Sequence, residues 1–208
     1  MKTKLFITGF IVVALAATAY KIHTPADLEI GTVIPKSDIK MKDAVSGKDL
    51  SLTEIKSQNG LLVFFSCNTC PYVKMYQERM SDYVLFAQQE KLGIAYINSN
   101  ESYRDKDDSY EAMQTYAKDN KIGVPYLVDQ NSEIADAFGA TRTPEVFLFD
   151  KEGKLIYKGA IDDNPKSMEE IKGFYLRDAI RSVSKGQKLT TSSTKSIGCT
   201  IKRKAATK

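Results

Sequence analysis

Two cysteines three positions apart, Cys67 and Cys70, stand where an apolar run meets a segment of helical periodicity, and that junction limits the possible folds of this chain more than any other feature. Leu61-Leu62-Val63-Phe64-Phe65 is apolar at every position, the pattern of a central strand covered on both faces. From Pro71 onward, Tyr72, Val73, Tyr76, Met80, Tyr83, Val84 and Ala87 recur at helical spacing. Pro71 falls in the first turn, where its missing N–H removes no helical bond. The spacing therefore predicts a strand-to-helix turn that carries Cys67-Asn68-Thr69-Cys70.

A dithiol placed there has a definite chemistry. The thiolate is the nucleophile in thiol–disulfide exchange. A free thiol titrates near 8.5, so at neutral pH it needs the unpaired N–H groups and dipole of a helix start. Cys67 is predicted to be the attacking thiolate and Cys70 the resolving thiol one turn on. Three other readings compete. A structural zinc site wants four ligands, and only Cys199 and His23 remain to supply them. A structural disulfide would close too short a loop to stabilise much. Inert core thiols fit poorly with Asn68 and Pro71 beside them. No metal and no cofactor are expected.

The rest of the chain reads as alternating elements. Ile39–Ala44 and Lys48–Ser51 are short strands around a turn at Val45-Ser46-Gly47. Leu52–Ser57 is a short helix capped by Ser51 and broken by Asn59-Gly60. Gly93–Asn98 is a second buried strand, and Asn100–Asp108 a charged loop. Tyr110–Lys118 reads as a helix and Pro125–Val128 as a strand. A helix capped by Ser132 runs to Phe138 and stops at Gly139. Glu145–Phe149 and Lys154–Tyr157 form a hairpin. Met168–Ser184 is a last amphipathic helix, with Ile171, Phe174, Tyr175, Ala179 and Ile180 inward. This order predicts a three-layer α/β domain with a mixed central sheet over 37–184.

The ends differ from the middle. Lys2 and Lys4 precede an apolar run from Leu5 to Ala19 that closes on Ala17-Thr18-Ala19, the pattern of a secretory signal peptide. The competing reading is a membrane anchor and tether through residues 5–19, although the run is short against the ~20 residues of a span. Either way the domain is predicted to be exported, to a periplasm or cell envelope. Residues 20–36, with Pro25, Gly31 and Pro35, read as a linker, and 185–208 as a basic tail containing Cys199. Seven of the 30 basic residues lie in 185–208 and two in the leader, leaving 20–184 with 21 against all 26 acids, a net of −5. An acidic domain without a basic stripe argues against nucleic acid as a partner. Three cysteines in an exported chain suggest a redox thiol rather than a disulfide scaffold. Thr143-Pro144 precedes the strand Glu145–Phe149 and, read alone, is a trans turn.

The segment Phe65-Ser66-Cys67-Asn68-Thr69-Cys70-Pro71-Tyr72-Val73-Lys74 resembles the active-site segment of exported thioredoxin-like proteins grouped with the redoxins, the alkyl hydroperoxide reductase and thiol-specific antioxidant superfamily. The similarity continues through Ala95–Asn100, Pro125–Asp129, Gly139–Pro144, Phe147–Asp150, Tyr157–Asp163 and Gly198–Lys202, and so spans about residues 28–204. It implies a thioredoxin-like fold with an added N-terminal β-hairpin, and a thiol–disulfide oxidoreductase acting on protein thiols or disulfides with a separate electron donor or acceptor. It implies a cis Pro144 packed against the cysteine pair, with Thr143 offering backbone groups to a substrate chain. It places Asp162-Asp163 either near the pair or capping a turn. Glu145 is either a proton relay to Cys70 or a strand-surface carboxylate. Cys199 is either an additional redox thiol or a spare one on the tail. Three departures stand out: Thr69 where relatives often carry His, Arg203 where they tend to carry Trp, and no Trp before Cys67. Peroxide reduction is the alternative function, but the Pro-x-x-x-Thr/Ser-x-x-Cys spacing fits neither Cys67 nor Cys70. A copper-binding chaperone of related fold is a further alternative, through soft thiolates alone.

Overall fold

The computed structural model describes residues 27–204; the Leu5–Ala19 run, its signal-peptide or anchor reading and His23 lie outside the described residues. The elements follow in chain order. A hairpin of β1 (Met41–Lys42) and β2 (Asp49–Leu50) leads into the short helix α1 (Leu52–Ile55), then β3 (Leu61–Ser66) and the long helix α2 (Pro71–Gln89). Next come β4 (Gly93–Asn98), α3 (Tyr110–Asp119), β5 (Tyr126–Val128) and α4 (Glu133–Phe138). The chain closes with β6 (Arg142–Thr143), β7 (Glu145–Phe149), β8 (Leu155–Gly159), α5 (Tyr175–Lys185) and β9 (Cys199–Thr200).

The main sheet has five strands in the order β5-β4-β3-β7-β8, with β3 parallel to β4 and antiparallel to β7. Every residue of β3 is buried, as its unbroken apolar run requires. Its side chains alternate between two cores. Leu62 and Phe64 meet Tyr76 and Met80 of α2, Met113 of α3 and Ile180 of α5. Leu61, Val63 and Phe65 meet Leu52 of α1 and Ile134 and Phe138 of α4. Phe65, Phe138, Phe147 and Phe149 pack edge to face in this second core. The result is a thioredoxin-like three-layer α/β fold with the added N-terminal hairpin.

Local chemistry explains where the elements start. Ser51 caps α1 as its sequence suggests, accepting from Glu54 N while Glu54 Oε2 accepts from Ser51 N. Ser132 does not cap α4. Its hydroxyl donates instead to the Ser99 carbonyl, and Asp129 takes over the cap by accepting from the Ile134 and Ala135 amides. The last helix begins at Tyr175 rather than Met168. Before it, Asn164 Oδ1 accepts from the Lys166 and Ser167 amides, and Asp163 Oδ1 from that of Lys172. These side-chain bonds hold 164–172 in turns and compete with a helix there. Ile171 and Phe174 are consequently only half-buried.

Both predicted ends of the domain lie against it. Val33 bridges Lys154, with Gly31 N donating to Leu155 O and Leu155 N to Thr32 O. Past α5, the chain runs along β8, where Lys158 N donates to Ser192 O and Thr194 N to Lys158 O. It then crosses the cysteine end of the sheet as β9 and finishes with Ile201 buried. Arg203 Nε bonds Asp136 at 2.7 Å and its guanidinium also donates to the Ala140 carbonyl. Among the described residues no helix is long and apolar enough to cross a membrane.

One buried ion pair ties the 162–174 segment to α2. Asp162, fully buried, accepts from Tyr76 Oη and Arg79 Nη1, while Arg79 also donates to the Asn164 and Pro165 carbonyls. The Arg79→Ala variant strands the Asp162 carboxylate in the core, so it is expected to lose about 3–5 kcal/mol of stability in chemical denaturation. Adding Asp162→Asn is expected to recover part of that loss; a single variant as stable as the parent would refute the argument.

Candidate functional site

The C-terminal end of β3 delivers Cys67, and Cys70 is the cap residue of α2, extended at φ −69° and ψ 121°. Pro71 begins the helix with no bond lost. Both sulfurs are almost out of solvent, Cys67 at 1% and Cys70 at 2% exposure. Thr143 faces them from the turn before β7, and its peptide bond to the buried Pro144 is cis. Cys67 Sγ lies 3.3 Å from Thr143 Oγ1, and Cys70 Sγ donates to the Thr143 carbonyl at 3.0 Å.

A third sulfur joins them. β9 pairs antiparallel with β6, and the register sets Cys199 opposite Thr143. Cys199 packs against the cluster of Cys67, Cys70 and Val73 beside Tyr72. All three cysteines are free. The structure thus gathers Cys67, Cys70, Thr143, Pro144 and Cys199 in one place, while Thr69 is exposed at its rim.

The two thiols interact, and their surroundings act on them in opposite directions. Cys70 is lowered by the Cys67 thiol first, and further by the Cys199 thiol and the Val73 amide in the first turn of α2. Cys67 is raised by that same bond to Cys70, by burial and by the Asp108 carboxylate, with the Thr143 hydroxyl opposing. In the dithiol, Cys70 donates to the Thr143 carbonyl. Cys199 is pushed up to about 11 by burial and by Cys70.

The turn itself is held by a polar network that sequence reasoning left inside a charged loop. Asp108, fully buried, accepts from Asn68 N at 2.9 Å, Asn98 Nδ2 at 2.7 Å and Asn100 Nδ2 at 2.9 Å. Tyr126 Oη donates to Asn68 Oδ1 at 2.8 Å, and Asn68 Nδ2 donates to the Asp107 carbonyl. Arg104 clamps the base of the loop on the Asn98 and Asp108 carbonyls. The available signal was Asn98-Ser99-Asn100, a polar cluster ending a buried strand, but nothing local pairs it with Asp108.

The acidic candidates take structural positions. Asp162 caps the turn at Asn164 and pairs with Arg79, as described, and does not reach the sulfurs. Glu145 accepts from the Thr141 and Arg142 amides and from Ser196 Oγ, so it braces β6 and the tail instead of relaying a proton. Among the described residues no group of three or more His, Cys, Asp or Glu side chains is arranged to hold a metal ion.

Asp108 raises Cys67 through its charge, so its removal has a definite sign. The Asp108→Asn variant is expected to shift the alkylation profile of Cys67 to lower pH and, with its amide facing three donors, to lose about 1–3 kcal/mol of stability. Iodoacetamide labelling against pH, read by peptide mass spectrometry, checks the first; an unchanged or upward-shifted profile contradicts it.

Known proteins share this architecture. A crystal structure of an uncharacterized conserved protein from Geobacillus kaustophilus superposes with a TM-score of 0.79 at 29% identity, covering 86% of this chain and 94% of that one. A hypothetical protein from Sinorhizobium meliloti 1021 gives 0.78 at 34% identity, covering 87% and 98%. The thiol-disulfide oxidoreductase ResA of Bacillus subtilis (strain 168) is 25% identical over 158 residues, 74% of this chain and 84% of its own. The AhpC/TSA family model matches residues 30–158, and the chain therefore belongs to the AhpC/TSA family.

Proposed function

We propose that this chain is a thiol–disulfide oxidoreductase whose redox couple is Cys67 and Cys70 and whose substrates are the thiols or disulfides of exported proteins. The observation that carries the reading is the contact between two buried sulfurs at the start of α2, braced together on the Thr143 segment. Such a pair closes to a disulfide without unwinding the helix, and the first-turn amides favour charge on the sulfur at the cap. Thr143 supplies the backbone edge for an extended substrate, and Pro144 is the wall beside it. The likeness to ResA supports the reaction class. The leader pattern at residues 5–19 supports export to a periplasm or envelope.

Exchange between dithiothreitol and a disulfide-bonded peptide tests the reading. The wild-type chain is expected to accelerate it, and Cys67→Ser and Cys70→Ser each to slow it. Undiminished exchange in both variants sinks the assignment. Consumption of hydrogen peroxide at a rate exceeding exchange would place the chain with peroxidases instead.

A further inference from the structure

The redox pair as it stands is shut. Cys67 and Cys70 are buried, and the edge of Thr143 that a substrate strand would use is already occupied by the chain's own β9. The fit is close. A Cβ built on Gly198 would lie 2.3 Å from the Thr143 carbonyl oxygen, so only glycine lets the tail come down to this depth. The tail is fastened on both sides of Cys199. Ser196 bonds Glu145 before it, and beyond it Ile201 N bonds Thr141 O, Lys202 N bonds Asn100 Oδ1 and Arg203 bonds Asp136. These contacts set one side chain, that of Cys199, against the Cys67–Cys70–Val73 cluster and opposite Thr143. Cys199 is also the only one of the three sulfur-bearing residues that is partly exposed.

We propose that Cys199 is a third redox residue, held by the tail in the position of a substrate cysteine, and that it carries the disulfide between the buried Cys67–Cys70 pair and protein partners. The proposal rests on the reading of Cys67 and Cys70 as a redox couple. The step is an exchange within the chain. The Cys199 thiolate attacks Cys70 of the Cys67–Cys70 disulfide; the Cys70–Cys199 bond forms as the Cys67–Cys70 bond breaks. Cys67 leaves as a thiolate and takes up the proton that Cys199 released. No electrons leave or enter, and the oxidising equivalents move from a buried sulfur pair to one with a partly exposed member. A partner protein's thiolate then attacks Cys199 and frees Cys70. Run backwards, the same steps carry reducing equivalents outward.

The charge distribution suits this order. Burial and contact with Cys70 keep Cys199 protonated at rest. Oxidation of the pair removes the ionisable Cys70 thiol, and with it one of those two causes, so Cys199 ionises more readily when its target disulfide exists.

Peptide mapping of the full chain after treatment with one equivalent of diamide tests the proposal. Wild type is expected to yield both Cys67–Cys70 and Cys70–Cys199 cross-linked peptides, and Cys67→Ser to yield Cys70–Cys199 with loss of Cys199 alkylation. Gly198→Ala, which lifts the tail from Thr143, is expected to keep the Cys67–Cys70 disulfide, lose the Cys70–Cys199 one and expose Cys70 to iodoacetamide in the reduced protein. Absence of a Cys70–Cys199 peptide from both wild type and Cys67→Ser overturns the third residue. The underlying reading fails separately, if Cys199→Ser forms no Cys67–Cys70 disulfide.

Discussion

Everything in this molecule hangs on the burial of β3 from both sides. A strand with no solvent-facing position must have a layer of helices on each face, and its five apolar residues pack alternately against α2, α3 and α5 or against α1 and α4. Because the strand is rigid on both faces, the chain leaving its C-terminal end has little freedom. That exit is where Cys67 stands. The position of the sulfur is thus set by packing at Leu62, Phe64 and Phe65, well before any polar contact refines it. The same holds on the other side of the turn, where β7 lies antiparallel to β3 and brings Thr143 and Pro144 to the same end of the sheet.

Polar chemistry is then layered on this frame through residues remote in sequence. Asp108 reaches Asn68 across 40 positions, and Asp162 reaches Arg79 across 83. Each is a buried carboxylate with its bonding capacity used by donors that the fold brings in, so each fixes a loop that has no regular structure to fix it. One holds the Cys67–Cys70 turn from below. The other holds the long connection before α5, and through Arg79 it braces the same helix whose first turn faces the sulfurs.

Sequence periodicity made the β3–α2 junction readable because both elements are long, uniform in pattern and directly joined. It made the capping box at Ser51 and Glu54 readable because both partners lie three residues apart. It failed at Ser132, where a serine in the right place lost its role to Asp129, and at Met168, where Asn164 and Asp163 drew the following amides into turns. Both failures come from side chains that compete locally for the same backbone groups. The bond from Asp108 to Asn68 and the register that sets Cys199 opposite Thr143 were out of reach for a different reason: their partners are remote in sequence, and only the closed fold makes them neighbours.

The two segments that read as linker and tail share a property with the hairpin. Residues 31–34 lie along the start of β8, residues 192–194 along its end, and Asp43 and Ala44 along β5 at the opposite side of the sheet. An uncovered outer strand is an open template on which any extended polypeptide can add itself. A chain that takes protein substrates, as proposed above, would be especially prone to capturing them in the wrong place. With both rims of the five-stranded sheet occupied by its own backbone, strand addition is left to the separate β6–β9 pair, and there a newcomer must first displace β9. Selectivity for where a partner lands is thereby written into main-chain hydrogen bonding, independently of any side chain the partner brings.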